Sequence, residues 1–322
     1  MRLTVAYLTF RKNPRFEWFA ASLARELRDT PEIDPASVQI IVVDGRLWHD
    51  EARRVEMLSA AAGRITFEHV SPKPTVYQGP HRLTSRDFFA AASTRNTALA
   101  LTRSPHVAFV DDLSVLLPGW LRCHLKAQVQ GYVLCGTTCK VNNIVVSESG
   151  DLVSFDEFPP GRDSRMGRLF DPVEVVNCSG GWVYGGTFSV PIEAALRVNG
   201  QDEQHDVIGG EDYDFGMRLE RAGVPVRITR ACGTYELESG HHEEAPMMRL
   251  DKPWPGDDGP YTSNHLLKKI QREASRTWTC GNDFNLRELR DRVLSGKPFP
   301  IPTGPATYWS DGQPLANLGD AP

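Results

Sequence analysis

Short apolar runs and amphipathic stretches alternate along the first part of the chain. Four runs rich in aliphatic and β-branched residues predict buried strands, at 3–9, 38–43, 65–70 and 106–110. Three stretches that repeat apolar residues every three or four positions predict helices with one buried face, at 16–27, 51–62 and 87–101. This alternation of strand and helix predicts an α/β domain built on a largely parallel sheet.

The alternation continues less regularly through the second half. Further strands are predicted at 132–135, 141–146, 173–176, 182–190, 224–228 and 233–238. Further helices are predicted at 117–130, at 191–198 and from Glu211 onwards. The stretch 147–171 is rich in proline, glycine and charge, which predicts a long mobile loop, and we expect it to close over a ligand.

The composition changes near residue 251. A proline-rich segment at 253–260 is followed by two amphipathic stretches, at 263–277 and 286–294, that predict helices. After Lys297 the chain is rich in proline and glycine without periodicity, as draped or disordered tails are. We therefore expect a main domain at 1–250 and a helical C-terminal extension with a tail at 251–322.

The bulk composition narrows the class of protein. The chain has 322 residues, of which 40% are hydrophobic and 24% charged, as in globular proteins. The net charge of -5 disfavours nucleic acid as a general partner. Six scattered cysteines without a CxxC pair argue against a disulfide framework or a cysteine-rich zinc site. The N-terminus lacks a signal-peptide pattern and no apolar run could span a bilayer, so we expect a cytoplasmic protein without a membrane partner.

Acidic residues stand at the ends of two predicted strands. Asp44 closes the second strand, and Asp111 and Asp112 directly follow the fourth. In parallel α/β sheets, ligands bind beyond the carboxyl ends of the strands. Two adjacent acids repel each other, and a divalent cation is the simplest way to offset that repulsion. The competing interpretation is a turn in which one aspartate caps the next helix.

A second group of acids begins the helix near residue 211. Gly209 and Gly210 lead into Glu211, Asp212 and Asp214, and apolar residues then follow at helical spacing. Negative charge is favourable at a helix N-terminus, so the acids fit an ordinary helix start. They also fit a catalytic carboxylate at a rigid loop-to-helix junction, because glycines let the backbone approach a ligand closely. The pattern alone leaves both interpretations open.

Four segments then occur in a characteristic order. They are Thr94-Arg95-Asn96, Phe109-Val-Asp-Asp-Leu113 followed by Leu-Pro-Gly-Trp, Gly185-Gly-Thr-Phe-Ser-Val190, and Gly210-Glu211-Asp212. Their order resembles the GT-A glycosyltransferases, specifically the inverting group called glycosyl transferase family two. The resemblance covers roughly Leu3 to Glu244 and implies a Rossmann-like, mostly parallel sheet flanked by helices.

The resemblance implies an activity as well. It implies inverting transfer of a sugar from a nucleotide diphosphate sugar, expected to be a UDP-sugar, to a hydroxyl group. The acceptor stays open among small molecules, glycans, proteins and modified nucleic acid. Asp212 takes the place of the general base, and Glu211 would orient hydroxyl groups. The implied donor-binding residues are Thr9, Arg11, Asp44, Arg95, Asn96, Asp111, Asp112, Gly185 and Gly186.

A Mn²⁺ or Mg²⁺ cofactor is also implied, with Asp111, Asp112, His241 and His242 as candidate ligands. The family motif has an acid where this chain has Leu113. Either Asp112 substitutes for it, or Asp111 holds the metal with the donor phosphates and a histidine, or the metal is dispensable.

Two rival functions fit the same sequence. The first is a nucleotide-sugar-binding protein with weak catalysis, which the change at Leu113 would suit. The second is a nucleotidyltransferase on a related α/β fold, which would release pyrophosphate.

Overall fold

The structure is a computed structural model of the chain. It describes residues 1–63, 65–82, 87–157, 174–206, 209–238, 280–302, 309–310 and 313–314.

A ten-stranded mixed sheet runs through the described part of the chain. Its strands are β1 (Leu3–Thr9), β2 (Val38–Asp44), β3 (Glu68–Val70), β4 (His106–Asp111), β5 (Ser114–Leu116), β6 (Val133–Val146), β7 (Leu152–Glu157), β8 (Val176–Asn177), β9 (Thr187–Pro191) and β10 (Val226–Leu237). The order is β3-β2-β1-β4-β9-β6-β10-β5, with β7 on β6 and β8 on β10. The first four strands in this order are mutually parallel, and β9 is antiparallel to both of its neighbours.

Helices cover both faces of the sheet. They are α1 (Phe16–Arg28), α2 (Glu51–Ala61), α3 (Ala91–Leu101), α4 (Trp120–Gln130), α5 (Ile192–Arg197), α6 (Glu211–Arg221) and α7 (Leu286–Leu294). One hydrophobic core lies between the sheet and helices α1, α2 and α4, and a second lies between the sheet and helices α3, α5, α6 and α7. Buried strands with helices on both faces explain the near-continuous apolar runs in the sequence. The α/β prediction is confirmed.

Two pairs of predicted strands are single long strands. Segments 132–135 and 141–146 both belong to β6, and 224–228 and 233–238 both fall in or beside β10. The threonines between the first pair, Thr137 and Thr138, are buried in the sheet, so their polarity wrongly indicated a break. In β10 the pairing with β6 shifts register between Ile228 and Gly233.

The predicted loop at 147–171 is wrong in part. Strand β7 occupies Leu152–Glu157 and pairs antiparallel with β6. Val153 is 63% exposed, and Leu152 and Phe155 are only partly buried, so the strand lacks the continuous apolar run that identifies the buried strands. The rest of that loop, with Arg162, Arg165 and Arg168, lies outside the described residues.

The C-terminal extension is partly described. The predicted helix at 286–294 is confirmed as α7, and its Leu286 and Leu289 are buried in the same core as α3. The predicted helix at 263–277 and the proposed boundary at residue 250 lie outside the described residues. Beyond α7, Trp309–Ser310 and Gln313–Pro314 form a small antiparallel pair. Within the described ranges, the helices are all too short or too polar to cross a bilayer.

Candidate active site

The carboxyl ends of β1 and β4 lie side by side. The parallel register pairs Leu8 with Asp111, so the residues that follow these two strands meet at one edge of the sheet. The loop before β9, with Gly185, and the first turn of α6 reach the same edge, as the contacts below show. The predicted donor and catalytic segments therefore converge, although they are far apart in sequence.

Arg95 connects the two groups of acids. Its Nη2 donates to Oδ1 of Asp111 and its Nη1 donates to Oε1 of Glu211, each at 2.9 Å. The Arg95 side chain is only 2% exposed, whereas that of Asp111 is 27% exposed. The strand-end acid and the Gly-Glu-Asp segment are thus held by one buried guanidinium, and Asp111 still faces solvent.

Burial and mutual charge set the pKa values in this cluster. Burial alone would lower the pKa of Arg95, but Asp111, Glu211 and Asp212 outweigh it and raise that pKa. Burial raises the pKa of Asp111, and Glu236 adds to the rise while Arg95 opposes it. Burial and then the charge of Asp212 raise the pKa of Glu211. Arg95 therefore keeps the pKa of Asp111 and of Glu211 lower than burial and neighbouring acids alone would make it.

Asp212 is fixed by two backbone groups. Its Oδ2 accepts a hydrogen bond from the N–H of Gly185 at 3.0 Å, and its Oδ1 accepts one from the N–H of Tyr213 at 2.7 Å. Helix α6 begins directly after Gly210, which has a φ of 88°. That left-handed conformation favours glycine. Gly210 therefore allows the chain to turn sharply into the helix, which puts Asp212 in the first turn.

Close packing explains the glycine pair before β9. A Cβ on Gly185 would lie 2.2 Å from Nη2 of Arg95, and a Cβ on Gly186 would lie 2.3 Å from Oγ1 of Thr138. Any side chain at Gly185 would displace the guanidinium that joins Asp111 to Glu211. Both glycines were predicted to lie on the donor side of the site. In the structure, each is a glycine because a neighbouring side chain leaves no room for a Cβ.

Asp112 turns away from Asp111 and towards β1. Its carboxylate accepts hydrogen bonds from Nε of Arg11 at 2.9 Å and from Oγ1 of Thr9 at 2.7 Å. Burial raises the pKa of Asp112 to about 6, against the opposing effect of Arg11 and Thr9. These contacts make Asp112 an anchor for Arg11. They do not favour the hypothesis that Asp112 replaces the missing metal acid.

Leu113 has a backbone conformation that fits this arrangement. It has a φ of 61°, and its side chain is buried. Its N–H donates to the carbonyl of Pro14 at 3.0 Å. The position where the resembled family has an acid is thus filled by an apolar side chain packed into the protein.

Two predicted donor-binding residues have strong partners within the protein. Asp44 is fully buried and accepts two hydrogen bonds from Arg54, at 2.7 and 2.9 Å, and one contact from His69 at 3.1 Å. Although burial acts to raise the pKa of Asp44, hydrogen bonds from His69 and Arg54 outweigh it and lower that pKa. The side-chain amide of Asn96 makes two hydrogen bonds with the backbone of Gln201: its Nδ2 donates to the carbonyl, and its Oδ1 accepts from the N–H.

The side chains of Asp44 and Asn96 therefore secure the scaffold around the site. Their contact with a donor stays a prediction, and so does the role of His241 and His242, which lie outside the described residues.

An ion pair lies beside Asp111 that no motif in the sequence predicted. Lys140 on β6 donates from Nζ to Glu236 on β10 at 2.8 Å, and Nζ lies 3.1 Å from Glu238. Lys140 lowers the pKa of Asp111 while Glu236 raises it. The sequence did offer one signal for this pair. Lys140 and Glu236 are charged residues within strands of mostly apolar and hydroxyl side chains, and a charged side chain is seldom buried there without a partner.

The geometry around Asp111 suits a metal shared with a ligand. Asp111 has Oδ1 bonded to Arg95, and its side chain is partly exposed. Mg²⁺ and similar ions are commonly held by one or two carboxylates together with substrate phosphates. Asp111 fits that donor set, whereas Asp112 and Leu113 face elsewhere. Among the residues described at this site, the ligand set thus fits an ion that Asp111 holds together with the phosphates of a bound nucleotide.

Comparison with known proteins gives two kinds of relative. No family model matches the chain. Over 182 residues the chain is 27% identical to validoxylamine A glucosyltransferase from Streptomyces hygroscopicus subsp. jinggangensis (strain 5008), a match that covers 50% of this chain and 42% of that protein. The protein of the same name from subsp. limoneus is also 27% identical, with 40% of it covered. The chain therefore spans less than half the length of these relatives.

Solved structures match over nearly the whole chain. S. aureus TarS 1–349 in complex with UDP-GlcNAc gives a TM-score of 0.54 at 12% identity, covering 92% of this chain and 71% of that one. The same protein in complex with UDP gives 0.52 at 13% identity, covering 92% and 70%. The chain has the GT-A glycosyltransferase fold. The resemblance predicted from motif order is confirmed for the fold, and the relatives found by sequence and by structure are glycosyltransferases.

Proposed function

We propose that this GT-A protein transfers a sugar from a UDP-sugar to a hydroxyl group of an acceptor, with inversion at the anomeric carbon. The observation that carries the proposal is the Arg95 bridge. It holds the strand-end acid Asp111 and the Gly-Glu-Asp residue Glu211 within one cluster. The UDP and UDP-GlcNAc complexes of the structural neighbour and the name of the sequence relatives support a UDP-sugar as donor.

Asp212 is the general base in this proposal. A carboxylate beside the acceptor takes the hydroxyl proton as the oxygen attacks the anomeric carbon, and the bond to the diphosphate breaks. The hydrogen bond from Gly185 fixes the orientation of Asp212, which such proton transfer requires. Because a single displacement occurs, the configuration at the anomeric carbon inverts. Glu211, held by Arg95, orients hydroxyl groups of the acceptor or the sugar.

The donor side is assigned to the ends of β1 and β4. Asp111 faces the donor phosphates, and Thr9 and Arg11 flank them, with Arg11 positioned by Asp112. A Mn²⁺ or Mg²⁺ ion bound by Asp111 and those phosphates would offset the charge that develops on the leaving diphosphate. His241 or His242 would complete its ligands.

A donor screen tests the proposal. Purified protein is mixed with nucleotide sugars, including UDP-glucose and UDP-GlcNAc, with and without Mn²⁺. Thermal unfolding and nucleotide release are then measured. We expect UDP-sugars to raise the melting temperature, because a ligand bound only to the folded state stabilises it. We also expect slow UDP release with water as acceptor. In a parallel assay with a nucleoside triphosphate and a sugar 1-phosphate, release of pyrophosphate would instead indicate a nucleotidyltransferase. Binding of nucleotide sugars without release of nucleotide from any of them would indicate a binding protein.

The variant Asp111→Asn tests the donor side of the same site. It keeps the side-chain shape and removes the charge that would face the metal. We expect weaker binding of UDP in the presence of Mn²⁺ by calorimetry. The matched control is Asp29→Asn, which removes an exposed carboxylate and should leave UDP binding unchanged. Equal UDP affinity in wild type and Asp111→Asn, with metal present, would remove Asp111 from the donor site.

A further inference from the structure

A second acidic cluster lies behind the first turn of α6. Asp202, His205 and Asp214 are all buried, and one potential ligand atom from each lies within 4.8 Å of the others. Asp202 directly precedes a short 3-10 helix at Glu203–His205, and His205 is the last residue of that helix. Asp214 lies two residues after Asp212 in α6. The cluster is separate from Asp111, which belongs to the strand-end site.

His205 is the observation that points to a ligand. His205 is only 5% exposed, and among the described residues neither of its ring nitrogens has a hydrogen-bond partner. Oδ1 of Asp214 is also buried and has no partner in the described part of the chain. Buried polar atoms normally find partners, so unpartnered atoms on neighbouring side chains indicate a missing shared partner.

The other contacts of these acids fix them in place. Oδ2 of Asp214 accepts from Nε of Arg218 at 2.7 Å. Asp202 accepts one hydrogen bond from the N–H of Gln204 at 2.9 Å and one from the N–H of Gly281 at 2.8 Å. Contacts of this kind hold metal-binding side chains in orientation.

The charges and donor types suit a metal cation. Two carboxylates face one imidazole. The nearby Arg218 donates through Nε to Asp214 and through Nη1 to two backbone carbonyls, and its buried Nη2 has no partner among the described residues. Imidazole nitrogens and carboxylate oxygens are both ligands of Zn²⁺, and carboxylates also suit Mn²⁺.

We propose that Asp202, His205 and Asp214 bind a divalent transition-metal ion, Zn²⁺ or Mn²⁺, independently of any nucleotide. The ion joins the 3-10 helix to the first turn of α6. Through Asp202 it also joins the segment at Gly281, so it braces the helix that carries Asp212 from behind. This site differs from the proposed donor metal, which needs phosphate ligands. It would exist whether or not the proposed transfer activity is correct.

Metal binding without nucleotide tests this proposal. Chelator-treated protein is titrated with ZnCl2 and, separately, with MnCl2 by calorimetry, and its melting temperature is followed. We expect wild type to bind about one ion per chain and to melt at a higher temperature with the preferred metal. The arm with the tighter binding identifies the ion. Failure of wild type to bind either metal would overturn the proposal.

Four variants locate the ion. His205→Gln and Asp202→Asn should each weaken binding roughly tenfold or more. Asp111→Asn and His49→Gln should bind as wild type does, the first because it lacks only the donor acid and the second because it removes an exposed imidazole. Binding lost in Asp111→Asn and kept in His205→Gln would overturn the assignment. A cooperative melting transition without metal shows that a variant folds. If His205→Gln does not fold, the binding measured for Asp202→Asn decides whether the assignment holds.

Discussion

At the scale of single residues, Arg95 is the centre of the site. It is buried between Asp111 and Glu211, so its removal would leave the buried carboxylate of Glu211 and the partly exposed carboxylate of Asp111 without their cation. Breaking a buried ion pair from one side is strongly destabilising, typically by about 3–5 kcal/mol. We expect Arg95→Met to lower the free energy of unfolding by about that amount in urea titrations.

The matched control for Arg95→Met is Arg122→Met. Arg122 pairs with Glu32 at 2.8 Å, but both side chains are more than half exposed, at 57% and 53%. Water solvates both partners after the change, so we expect little effect on unfolding. Equal destabilisation in the two variants would contradict the view that burial makes the Arg95 bridge important.

Asp112 gives the residue-scale prediction for pH. Burial raises its pKa to about 6 from 3.8. An acid whose pKa is raised on folding favours the folded state when protonated. That stability is fully present below the unfolded pKa and is lost as pH rises through 6. The difference between a pKa of 3.8 in the unfolded chain and about 6 in the folded protein corresponds to about 3 kcal/mol.

The measurement compares wild type with Asp112→Asn between pH 4 and pH 8. The asparagine cannot ionise, so the variant lacks this pH dependence. We expect the free energy of unfolding of wild type, relative to the variant, to fall by up to about 3 kcal/mol across that range. A constant difference would mean that Arg11 and Thr9 keep Asp112 fully ionised.

At the scale of elements, α7 is part of the core. Leu286 is fully buried in the same cluster as α3 and α5, whereas Leu294 at the other end of α7 is 39% exposed. Truncating a buried leucine to alanine typically costs about 2–5 kcal/mol, because transfer energy is lost and a cavity remains. We expect Leu286→Ala to cost that much and Leu294→Ala to cost much less in thermal or urea unfolding.

Equal, small effects of the two leucine variants would contradict that placement of α7. They would indicate that the segment packs only loosely on the domain. A large effect for Leu286→Ala alone would show that a helix beyond the predicted boundary at residue 250 stabilises the main domain.

Periodicity predicted most of the central elements and missed those whose signal is not local. The strands β1, β2 and β4 are buried on both faces, so their apolar runs identified them. Strand β7 is exposed along much of its length, and its pairing with β6 depends on residues distant in sequence. Helix α3 begins at Ala91, four residues later than predicted, because apolar content alone does not mark where a helix starts.

The sequence predicted which residues form the site better than it predicted the contacts between them. Asp111, Arg95 and Glu211 were all singled out, but the direct bonds among them follow from how α3 and α6 pack on the sheet. The orientation of Asp112 towards Arg11 goes together with the left-handed backbone at Leu113, which no local pattern predicts. The buried state of Asp44 likewise depends on Arg54 from another element.

At the scale of the whole molecule, the GT-A fold explains how distant segments form one site. The parallel strands end at a common edge, and the glycine turn before α6 delivers two more acids to it. The relatives found by sequence are matched over less than half their length. The identity of the sugar donor and of the acceptor is therefore to be established by measuring activity with this protein itself.

Rates of UDP release by Asp212→Asn test the central claim most directly. The variant keeps the side-chain shape and loses the basicity, so donor affinity by calorimetry should match wild type. Release of UDP from the best donor should fall by roughly a hundredfold or more, the usual effect of losing a positioned base. Glu211→Gln, measured beside it, should impair release less. Release by Asp212→Asn near the wild-type rate, with Glu211→Gln inactive, would contradict the assignment of the base.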